Sequence, residues 1–180
     1  VIAVGALTPS TPEPLIALSG RGLTRAAGAA LLVLLALVAA SPSSSAGEPT
    51  AARLIAASNA ARAGRGLPAL AVSDRLSRAA RAYAHVLSAQ GKLAHSGVDG
   101  SDIVSRAETA AYSDWTFLGE DLARGPASTA ASEIVAGWLA SPPHRANLLS
   151  TEARDTGAGC ATGGKRREVF CVLLFGSRSR

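Results

Sequence analysis

Two adjacent prolines followed by a histidine, in Ala140-Ser141-Pro142-Pro143-His144-Arg145, constrain this chain more than any other feature. Proline fixes φ, lacks an amide hydrogen and disfavours helical geometry in the residue before it. A helix arriving through Trp138 and Leu139 must therefore stop near Ser141. The spacing of Ala131, Ile134, Val135, Trp138 and Leu139 is that of a helix with one buried face, opened by Ser128 or Thr129. The break then delivers His144 as a loop histidine. Two further stretches have the look of connections: Ala94-His95-Ser96, beyond a helix, and Leu118-Gly119-Glu120-Asp121, beyond an apolar run. Loops on a rigid scaffold carry much of binding chemistry. Two imidazoles and a carboxylate arriving this way define a candidate cleft of His95, Glu120 and His144, with Ser96 and Ser141 beside them.

The remaining elements follow in order. Thr50 to Gly64 is helical, closed by Gly66 and Pro68. Ser73 caps a second helix whose buried stripe is Leu76, Ala80, Tyr83 and Leu87 and whose stop is Gly91. His85 falls on its outer face. Ser101 opens a short helix through Ile103, Arg106 and Ala110, and Tyr112 to Leu118 is extended. Thr156 to Thr162 and Val169 to Gly176 read as strands joined by a Gly-rich basic turn. Helices first and a strand pair last indicate an α+β layer structure.

The two cysteines bear on that hairpin. If Cys160 faces Cys171, the same register pairs Ala161 with Phe170, Thr162 with Val169 and Gly163 with Glu168, leaving a four-residue loop. Such a position suits a disulfide; the alternative is a pair of buried thiols.

Residues 1–48 read as a signal peptide and linker, and 49–180 as one domain. Arg21 and Arg25 precede an uncharged apolar run, Ala26 to Ala40, which is short for a membrane span; small residues for cleavage follow at Val38-Ala39-Ala40 or Ser44-Ser45-Ala46. An uncleaved N-terminal anchor is the alternative. The chain holds no methionine, and a true start near Leu23 is expected. Only seven residues are aromatic (Phe 3, Trp 2, Tyr 2), so the core is expected to be Ala-rich, with Trp115, Trp138, Phe117, Phe170 and Phe175 as its large pieces. The net charge of +5 comes from scattered Arg rather than from basic clusters interleaved with aromatics, which argues against nucleic acid as a partner.

His95-Ser96, Gly119-Glu120-Asp121, the run from Ala136 to Leu149 and Thr156-Gly157-Ala158-Gly159, in that order, resemble the CAP superfamily of cysteine-rich secretory proteins, antigen 5 and pathogenesis-related proteins, in its bacterial SCP-domain branch. The resemblance spans about Ala52 to Gly176, and Asn59, Arg62, Gly66, Leu67 and Leu70 also fall where the family pattern expects them. It implies a three-layer α-β-α sandwich with the C-terminal antiparallel strand pair. It further implies a secreted or extracellular protein that binds a small molecule, lipid, peptide or cell-wall fragment. A membrane is involved only if the N-terminal segment stays uncleaved.

The sequence contains no zincin, nucleophile-elbow or phosphate-loop motif, so no catalytic residue is assigned. His95, Glu120 and His144 have the donor types that suit a divalent metal such as Zn. Many CAP proteins add a second acid shortly after the helix tryptophan, where this chain has Ser141. With that acid missing, Asp121 and Asp114 are the acids left to substitute. The alternative to a binding module is a metal-dependent or Ser/His/Glu hydrolase using Ser96 or Ser141. The bland reading is a polar cleft in which Glu120 holds the two histidines by hydrogen bonds.

Overall fold

The computed structural model describes residues 49–164 and 167–179, and the expected signal segment lies outside them. Among the described residues five helices and four strands follow in the order α1 (Ala51–Ala63), β1 (Ala71–Val72), α2 (Asp74–Gln90), α3 (Ile103–Thr109), β2 (Trp115–Pro126), α4 (Ala131–Ala140), α5 (Pro142–Leu148), β3 (Asp155–Gly163) and β4 (Glu168–Arg178). The strands form one sheet in the order β1-β3-β4-β2. β1 runs parallel to β3, and β4 pairs antiparallel with both β3 and β2.

β4 is the spine of the sheet. Its run Val169 to Phe175 is apolar without alternation because both faces are covered. Phe170, Val172 and Leu174 pack with Leu118, Leu122 and the α2 and α3 residues Leu76, Tyr83, Ile103 and Ala107. Val169, Cys171, Leu173 and Phe175 pack on the other side with Leu54, Ile134, Trp138 and Leu148 of α1, α4 and α5. The result is the expected α-β-α sandwich.

Capping follows local chemistry. Thr50 and Ser73 accept from Arg53 N and Leu76 N, and α2 stops at left-handed Gly91, with φ of 65°. α3 is capped by Asp102 rather than Ser101, because Asp102 and Ser105 form a reciprocal box. α4 starts one residue later than expected, with Ala130 at the cap and no side-chain bond there.

Glycines on β3 set the distance to α2. A Cβ on Gly157 would lie 2.2 Å from Ser77 N, one on Gly159 2.4 Å from Arg81 Cα, and one on Gly163 2.6 Å from Ser88 O. These residues share one face of the strand, so the helix backbone rests on it with no side-chain layer between. Asn59 acts similarly at short range: its amide exchanges two hydrogen bonds with the Leu70 backbone, at 2.9 and 3.2 Å. Arg62, fully buried, donates to Pro68 O, Leu148 O and Ser150 O and so fastens α1 to the end of α5. Burial, and then the charge of Arg154, hold its pKa below the ordinary arginine value.

Cys160 and Cys171 are disulfide-bonded across β3 and β4 in the expected register, with Cα atoms 4.1 Å apart. The expected core needs one correction. Trp115 is 36% exposed and Phe117 only half-buried, whereas Tyr83 and Tyr112 are buried. Both tyrosines spend their hydroxyls on internal acceptors, Ala94 O and Asp155 Oδ2, and so tolerate the interior.

Candidate functional site

Two of the three candidate residues stand in regular structure rather than in loops. Glu120 is in the middle of β2, opposite Leu174 of β4. The apolar run before it does not end there; it continues as the same strand. His144 is the third residue of α5, because Pro142 and Pro143 fill the first helical turn, where a missing amide hydrogen costs no helical bond. Only His95 lies in a connection, after the Gly91 cap.

β2 is an edge strand, and its alternation splits the Gly119-Glu120-Asp121 stretch between layers. Glu120 faces α2 and α3. Its carboxylate is wholly buried, with Oε1 2.7 Å from His95 Nδ1 and Oε2 2.7 Å from Arg106 Nη2. A buried carboxylate is costly unless its charge is matched, and here both oxygens have partners, one of them a permanent cation. Arg106 also donates to His95 O and Ser101 O, and its guanidinium lies 3.5 Å from the Tyr83 ring centroid. Tyr83 in turn donates to Ala94 O at 2.6 Å. The His95 loop is thus held through its backbone by Tyr83 and Arg106 and through its ring by Glu120. The ring stays 17% exposed, and with Nδ1 committed, Nε2 is the nitrogen left for an outside group.

Asp121 faces α5. It is wholly buried, and Asn147 Nδ2 donates to its Oδ1 at 2.9 Å and to Glu120 O at 3.3 Å. Gly119 leaves room for this: a Cβ there would lie 3.0 Å from Asn147 Oδ1. Burial pushes the Asp121 carboxyl well above the ordinary carboxylate range; the Asn147 bond opposes this and the Glu120 charge adds to it. His144, also fully buried, sits one turn before Asn147 on α5. The α5 residue that bonds the Glu120-Asp121 stretch is Asn147, and the second partner of the Glu120 carboxylate is Arg106. Neither role belongs to His144.

The residues do not fit a metal. Among the described residues no group of three or more His, Cys, Asp or Glu could hold one, so His95, Glu120 and His144 do not form the expected ligand set. The physical reason is Arg106, which brings a positive charge to the oxygen a cation would use. Ser96 is exposed and Ser141 half-buried, and neither hydroxyl is hydrogen-bonded to a histidine among the described residues. Arg106 carried a sequence signal: it falls on the inward stripe of a short helix between Ile103 and Ala110. Asn147 had none beyond its place in the motif.

The site is thus a buried glutamate on the edge strand of a three-layer α-β-α sandwich, set against a loop histidine. The chain belongs to the CAP family: the model of the cysteine-rich secretory protein family matches residues 55–175. No curated protein sequence matches it. Among solved structures it is similar to an outer surface protein of Borrelia burgdorferi, at 25% identity and a TM-score of 0.62, over 70% of this chain and 90% of that one. It is also similar to an extracellular protein containing a SCP domain from Bacillus anthracis, at 21% identity and a TM-score of 0.61, over 72% of this chain but only 40% of that one. A cysteine-rich secretory protein of Staphylococcus aureus matches at 16% identity and a TM-score of 0.50, over 69% and 37% of the two chains. Among the described residues no helix is long and apolar enough to cross a membrane.

Proposed function

We propose that this CAP domain is an extracellular ligand-binding module whose recognition surface includes the His95 edge. The observation that carries this reading is the state of Glu120: both oxygens are committed, to His95 and Arg106, inside a wholly buried environment. A general base or metal ligand needs an oxygen free to engage the reacting group or ion. Glu120 instead fixes the orientation of the His95 ring and leaves Nε2 outward as a donor or acceptor for a bound molecule. The outer-surface and extracellular descriptions of the Borrelia and Bacillus proteins support placement outside the cell. The ligand classes in view are lipids, peptides and cell-wall fragments.

The test is a thermal-shift screen of soluble peptidoglycan fragments, short peptides and phospholipid micelles. A ligand of the native state at a hundredfold excess over its Kd adds about 2.7 kcal/mol, several degrees in Tm. The expected result is a shift with one class that is lost in His95→Ala. Turnover of any probe, abolished by Glu120→Gln, would refute a binding role.

A further inference from the structure

The open end of β2 lies along a cavity that the His95 ring does not line. This cavity, of about 450 Å³, is lined by Ile103, Val104, Glu152 and the consecutive residues Trp115 to Leu118, with the end of α5 closing one side. Successive side chains of a strand point to opposite faces. Consecutive residues of β2 therefore bring its edge as well as its side chains to the cavity, β2 being the outermost strand of the sheet. The backbone pattern agrees. The outward carbonyls of Glu120 and Leu122 are taken by Asn147 and Trp138. β2 is the outermost strand of the sheet, and alternation puts the amide and carbonyl of Leu118 on the same edge as those carbonyls. The register shift between Trp115 and Phe117 ends regular pairing just before this point.

We infer that this cavity binds an extended peptide, which adds as a short fifth strand to the open end of β2. Four residues span about 13 Å, enough for a segment of similar length. An added strand exchanges backbone hydrogen bonds with the edge and places alternate side chains in pockets. Trp115, exposed beside Phe117 and Leu118, supplies the apolar contact. Among the described lining residues Glu152 is the charged one, so the favoured peptide is apolar with a basic residue rather than acidic. This site does not depend on the His95 reading.

The probe is a blocked pentapeptide alternating valine with lysine and threonine, beside versions carrying glutamate for lysine or N-methylated on alternate amides. Trp115 reports binding by its emission, since Trp138 is fully buried, and Trp115→Phe removes the signal. The expected result is a saturable blue shift with the lysine peptide and binding weaker by about fivefold with glutamate, the size of an exposed ion pair. The N-methylated peptide should not bind, and Glu152→Gln should erase the lysine preference. Equal binding of the N-methylated peptide, or no emission change at millimolar lysine peptide, overturns the strand-addition site.

Discussion

Replacing Arg106 with Met keeps a long unbranched side chain but removes the cation that lies opposite Glu120 and over the Tyr83 ring. The wild-type guanidinium makes one charge-assisted bond at 2.7 Å to a carboxylate of zero exposure and two bonds to the carbonyls of His95 and Ser101, while its own side chain is 10% exposed. Removing one member of a buried pair costs about 3–5 kcal/mol, because the other charge is left behind. The small exposure of Arg106 lets water reach that face, so about 3 kcal/mol is expected. Glu120→Gln should lose a similar amount, since one amide cannot accept from both His95 and Arg106. The double variant should be less destabilised than the sum of the singles by about 1.5–3 kcal/mol, because neither buried charge is then unmatched. Urea denaturation of the three variants, followed by circular dichroism, yields the coupling. Strict additivity would refute the claim that Arg106 is the counter-charge that permits a buried Glu120.

Asp121→Asn should stabilise the domain at neutral pH. The folded pKa of Asp121 lies above its unfolded value, so on raising the pH the unfolded chain loses this proton first. Stability then falls from about pH 4 up to the folded pKa. The amide keeps the Asn147 bond and should flatten that part of the profile in denaturation series across pH. Gly159→Ala should cost more than about 3 kcal/mol or abolish folding, since its Cβ would meet the α2 backbone; an alanine variant melting like wild type would contradict the close approach. Cys160→Ser with Cys171→Ser should keep the fold and lose about 2 kcal/mol, the lower end for disulfides, because the closed loop is short; denaturation midpoints check it.

The sequence was legible where a local rule decides the structure. Ser73 and Gly91 bound α2, the Cys160 to Cys171 register sets β3 against β4, and the apolar spacing around Trp138 marks α4. It misled where tertiary packing overrides a local signal. The two prolines end α4 as expected, yet they also open α5 and so place His144 in a helix rather than a loop, and Glu120 was expected in a connection, yet a strand continues through it. His95 and Glu120, whose side chains meet, were marked by type and position. Arg106 was visible on the inward stripe of α3, but its bond to Glu120 links residues from different elements and could not be read from either one.

The glycine face of β3 has a consequence for how motion is distributed. Where helix backbone rests directly on strand, no side chains lie between that can change rotamer, and the seam between α2 and β3 has little room to breathe. Both cavities border α3, the first at about 400 Å³ along the α2 to α3 groove and the second at the open end of β2. Amide exchange should therefore be slowest through β3, β4 and the middle of α2 and fastest around α3 and the start of β2.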